Sequence, residues 1–113
     1  MKTIKNIAAQ GDVFIRRVKE LPNGLVEAKS TDGKYVVGHS EKGHHHIVKE
    51  RSAQHLIDKT NEFISYLKVD NDGAVLEHER SFDTHEAINL PAGVYKITNQ
   101  REYTSEGFRK AQD

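Results

Sequence analysis

Turn-forming residues punctuate this chain at short intervals. Pro22-Asn23-Gly24, Asp32-Gly33, Lys42-Gly43, Asp72-Gly73 and Pro91-Ala92-Gly93 each supply residues that tolerate tight-turn dihedrals. Between them lie runs with β-branched and aromatic side chains at period two. Asp12–Val18 carries Val13, Ile15 and Val18, and Lys34–His39 sets Tyr35, Val37 and His39 against Val36 and Gly38. His44–Lys49 sets His44, His46 and Val48 against His45 and Ile47. Glu62–Val69 alternates in the same way, and Ala74–His78 and Gly93–Asn99 complete the set. Six or seven short strands with regular turns predict an all-β fold, a small antiparallel β-barrel or sandwich.

Two stretches need arbitration. Glu50–Asn61 reads either as a short helix with Ala53, Leu56 and Ile57 on one face or as a strand over Gln54–Asp58. The strongly β run that follows favours the strand. Ser105–Gln112 reads as a short C-terminal helix, with Thr104 or Ser105 accepting first-turn amides.

At 113 residues the chain is expected to form a single domain over residues 1–113. Seventeen basic residues balance seventeen acidic ones, so no strong field is available for nucleic acid or an anionic membrane surface. The absence of Cys excludes disulfides, thiolate metal sites and Cys nucleophiles. The N-terminal residues lack the apolar run of a signal peptide, and no apolar stretch approaches the roughly 20 residues of a membrane span. A cytoplasmic location is the expectation. The basic clusters Arg16-Arg17-x-Lys19 and Arg109-Lys110, with acidic neighbours, read as solvated faces.

Seven histidines in a charge-neutral chain are the compositional outlier, because imidazoles titrate near pH 6.5. The densest group is Gly38-His39-Ser40-Glu41-Lys42-Gly43-His44-His45-His46, followed by Glu50. On a strand His44 and His46 share one face while His45 points to the other. Two imidazoles so placed can reach one metal ion through nitrogen bonds of about 2.0–2.1 Å. Glu50 continues that face, His39 precedes a turn that can bring it alongside, and His85 is a further ligand candidate. The expected metal site is therefore drawn from His44, His46, His85, His39 and Glu50. Nitrogen-rich ligation suits zinc, iron, nickel or copper better than calcium or magnesium. A solvated hairpin edge, or a metal-free pocket for a small-molecule ligand, explains the same histidines without a metal.

Gly38, His44, His46 and Glu50 have the spacing of the first cupin motif, which this segment resembles. The later Gly of that motif falls at Ile57. Pro91-Ala92-Gly93 is similar to the start of the second cupin motif, but Lys96 stands where the last metal-binding His belongs, and Gln100 replaces Asn. The resemblance implies a cupin-like barrel or sandwich with a metal site that recruits another ligand, His85 being the natural one. A longer likeness involves Gly11-Asp12-Val13, the Gly-His-x-His segment, Leu90-Pro91-Ala92-Gly93-x-Tyr95 and Gln100-Arg101-Glu102-Tyr103. These resemble a set of small uncharacterised bacterial and phage proteins, a grouping that implies no mechanism. The reading that follows is a cupin-like β protein with a His-lined pocket expected to take a metal or a small-molecule ligand. Its rival is a non-enzymatic phage or bacterial binding or assembly protein. A small core makes a homo-oligomer plausible for either.

Overall fold

Apolar side chains at every second position drive the observed architecture, because each short run can bury only one face. The computed structural model describes residues 2–38, 45–49, 51, 53–78 and 86–99. Within them lie β1 (Lys2–Thr3), β2 (Ile7–Gln10), β3 (Val13–Val18), β4 (Val26–Glu27), β5 (Lys34–Gly38) and β6 (His46–Lys49). They are followed by β7 (Ala53–Ile57), β8 (Ile64–Val69), β9 (Ala74–His78), β10 (Ile88–Leu90) and β11 (Gly93–Asn99). Five strands form one sheet in the order β1-β10-β9-β6-β5, and six form the other in the order β2-β3-β11-β8-β7-β4. Every neighbouring pair is antiparallel except β1 with β10.

The inner faces meet in one core. Val13, Ile15, Leu67, Val69, Tyr95 and Ile97 come from the six-stranded sheet; Tyr35, Val37, Val48, Leu76, Ile88 and Leu90 come from the other. Burying each such side chain stabilises the fold by about 1.5–3 kcal/mol before chain entropy is set against it.

The barrel expectation is corrected by the strand pairing. The chain crosses between sheets at β1–β2, β4–β5, β6–β7, β8–β9 and β10–β11, so the described strands make two separate hydrogen-bonded sheets that do not close on one another. The crossing at β8–β9 runs through Asp70-Asn71-Asp72-Gly73, where Gly73 donates its N–H to Asp70 O and has φ +75°. An Asp-Gly turn there links two sheets and does not close a hairpin. The segment after Glu50 is a strand, since Ala53 and His55 bury against the inner face while β7 pairs along β8. Its exit turn is braced by Asp58, whose Oδ1 accepts from Thr60 N and Thr60 Oγ1; those bonds hold the carboxyl below its ordinary value. The expected helix over Ser105–Gln112 lies outside the described residues. Among the described residues no helix is long and apolar enough to cross a membrane.

Arg17 departs from the solvated role expected of its cluster. Its guanidinium donates to Lys5 O, Ala92 O and Tyr95 Oη, and lies 5.1 Å from the Tyr95 ring centre. Tyr95 in turn donates to Pro91 O. One cation thereby ties β3, the β10–β11 crossing and the start of β11 together.

Candidate functional site: a histidine held between the sheets

Local turn chemistry places the first members of the site. Gly11 and Asp12 are the two loop residues between β2 and β3, whose register pairs Gln10 with Val13. Gly11 has φ +61° at the first loop position, which glycine adopts without steric cost. The tight turn leaves Gln10 facing inward, 2% exposed, and sets Asp12 beside it at the rim.

A buried primary amide must satisfy both of its ends. Gln10 Nε2 donates to two backbone carbonyls, Leu76 O and Glu86 O, each at 3.0 Å. Those two acceptors identify the nitrogen end of the amide. The other end, Oε1, lies 2.8 Å from His46 Nδ1 and can only accept. His46 therefore carries a proton on Nδ1, and Nε2 is the nitrogen on the Asp12 side. Asp12 Oδ1 lies 3.7 Å from Nε2. His46 is 3% exposed and Asp12 about a third exposed, so the site runs from the interior to the rim.

Strand pairing supplies the walls. His46 is the register partner of His78 on β9, and their rings stack at 4.3 Å with 4° between planes. On the other side His46 pairs with Gly38 of β5, next to a bulge after Val36. A Cβ at Gly38 would sit 2.5 Å from Val13 Cγ2, 3.0 Å from Asn99 Oδ1 and 3.1 Å from His46 Cδ2. Asn99 is oriented by donating from Nδ2 to Val37 O at 2.9 Å. Only a residue without a side chain permits this approach.

Of the expected ligands, His46 is described and points into this cluster. His39, His44, Glu50 and His85 lie outside the described residues. Among the described residues no group of three or more His, Asp or Glu is placed to hold a metal ion. Lys96, at the departing position of the second cupin-like motif, alternates with inward Tyr95 and Ile97. It therefore lies on the opposite face of β11 from the core. Gln10, Asp12, His78 and Asn99 were not anticipated as site residues. Gln10 and Asp12 flank a glycine turn that sequence can suggest; His78 joins only through the pairing of β6 with β9.

A family described as a domain of unknown function, DUF8820, matches residues 9–100. The chain belongs to that family. The matched DUF8820 span contains Gln10, Asp12, Gly38, His46, His78 and Asn99. The expectation of an uncharacterised grouping is met at this level. Searches among curated proteins and among solved structures return no match.

Proposed function

We propose that this DUF8820 chain is a small ligand-binding β protein whose site, centred on His46, takes a divalent transition metal such as zinc, iron, nickel or copper. The observation that carries the reading is the Gln10–His46 hydrogen bond. Metal-ligating imidazoles characteristically donate their other ring nitrogen to a fixed acceptor, which sets the tautomer and raises ligand basicity. Here Gln10 Oε1 is that acceptor, and Nε2 is presented beside the Asp12 carboxylate. One imidazole nitrogen and one carboxylate oxygen suit zinc or another borderline metal. The cupin-like spacing supports His44 as a second nitrogen donor, with His39, His85 and Glu50 as further candidates. An open coordination position would supply Lewis-acid chemistry to a bound small molecule; no reaction is assigned.

The test is thermal denaturation of untagged protein with and without zinc or nickel. At a hundredfold excess over Kd a specific ion stabilises by about 2.7 kcal/mol. The account expects a saturable rise in Tm that is lost in His46→Ala and reduced in Asp12→Asn, which leaves the buried hydrogen bonds intact. An equal rise in wild type and both variants overturns it.

A second reading, a homo-oligomeric assembly protein, is favoured by one observation. Ile7 and Phe14 stand 66% and 41% exposed on the edge hairpin β2–β3. Light scattering of wild type against Ile7→Lys tests it; a monomer in both removes this reading.

A further inference from the structure

The outer face of the six-stranded sheet has a feature that the His46 site does not use. Register places Arg16 of β3 opposite Lys96 of β11, and Lys96 opposite Tyr66 of β8. Their neighbours Ile15, Tyr95, Ile97 and Leu67 are buried inward, so this row faces away from the core. Two cations directly across adjacent strands repel and destabilise a sheet. Among the described residues neither cation makes an ion pair. The row forms the floor of a groove of about 360 Å³, within the size range of small-molecule sites. Val18, Leu21 and Pro22 add apolar wall, and among the described residues Glu20 contributes the only carboxylate of the lining.

We infer that this groove binds a small organic anion, a phosphate or carboxylate carried on an aromatic or apolar body. The charge decides the head group: two cations against one carboxylate leave the lining net positive. Arg16 offers a planar fork suited to a carboxylate or phosphate, and Lys96 a point charge beside it. Leu21 and Pro22 decide the body, since they offer apolar surface next to those charges, with the largely buried Tyr66 ring beneath. The repulsion between Arg16 and Lys96 is relieved when an anion sits between them. The site lies on the opposite face of its sheet from Gln10 and does not depend on the metal reading.

Titration of the full chain with phenyl phosphate, followed by amide NMR, tests the assignment. Inorganic phosphate and benzyl alcohol serve as the head-only and body-only probes. The expected result is saturable shifts at Arg16, Val18, Leu21, Tyr66 and Lys96, with phenyl phosphate binding at least about tenfold more tightly than either fragment. Arg16→Gln and Lys96→Gln should each weaken binding by about tenfold or more, and Glu20→Gln should strengthen it. Lys96→Gln should also raise the Tm of the free protein by about 1–4 °C, because it removes a like-charge pair. Unsaturable or scattered shifts overturn the inference. Equal binding of inorganic phosphate or benzyl alcohol overturns it as well, as does wild-type affinity in folded Gln variants.

Discussion

Gln10 does two jobs with one amide. Its nitrogen donates to Leu76 O of the five-stranded sheet and to Glu86 O ahead of β10, and its oxygen orients a histidine of that sheet, although Gln10 itself belongs to the other. Gln10→Ala leaves two buried groups, Leu76 O and His46 Nδ1, without that partner, each costing about 1–3 kcal/mol when unsatisfied. Urea denaturation is expected to show a loss at or above the upper end of that range, and a loss under 0.5 kcal/mol, roughly a surface effect, contradicts the bonding scheme. Gly38→Ala puts a methyl group against Val13 and His46, so it should cost about 1–3 kcal/mol and shift the His46 ring resonances. Tyr95 yields a pH prediction. Burial raises its phenol above the ordinary value of 10.0, with Arg17 opposing part of the shift. The fold favours the neutral phenol, so its contribution is present below pH about 10 and is lost as pH rises through the higher folded value. Denaturation midpoints should fall across that window in wild type and fall less steeply in Tyr95→Phe.

At the scale of strands and turns, the legible parts were those written in local periodicity. Val13, Ile15, Tyr35, Val37 and Leu67 sit inward as their alternation requires, and Asp32-Gly33 forms a two-residue turn with φ +53° and +77° between the bridged Thr31 and Lys34. The short strands β1, β4 and β10 carried too few residues for a period to register, and Ile7–Gln10 contains two alanines that weaken its β signature. Non-local strand pairings are not legible, because which strand lies beside β6 or β3 depends on crossings that no local pattern encodes. Sequence therefore points to His46 and not to its partner His78, and Arg17 reads as a solvated cation although the fold bonds it to Tyr95. The turn that carries Asp12 also makes a prediction. Gly11→Ala forces an alanine to φ near +61° and should cost about 1–2 kcal/mol, read as a lower urea midpoint.

Over the whole molecule, two open sheets share one apolar core, and the ionisable sites lie at its margins. One end holds His46 between the sheets; the outer face of the six-stranded sheet holds Arg16 and Lys96. Balanced overall charge leaves each of these a local field and not part of a global one. An edge strand as exposed as β2 suits association, and the light-scattering comparison with Ile7→Lys addresses it at this scale. The metal reading makes the sharpest demand, since it requires the Nδ1 proton to face Gln10 Oε1 and Nε2 to be the nitrogen that meets the metal beside Asp12. Imidazole nitrogen NMR of untagged protein at about pH 8, with and without zinc, measures both. The expected result is His46 protonated on Nδ1 in the free protein, with the Nε2 resonance moving on zinc addition while Nδ1 keeps its proton. A His46 protonated on Nε2, or an Nε2 resonance unmoved at saturating zinc, contradicts it.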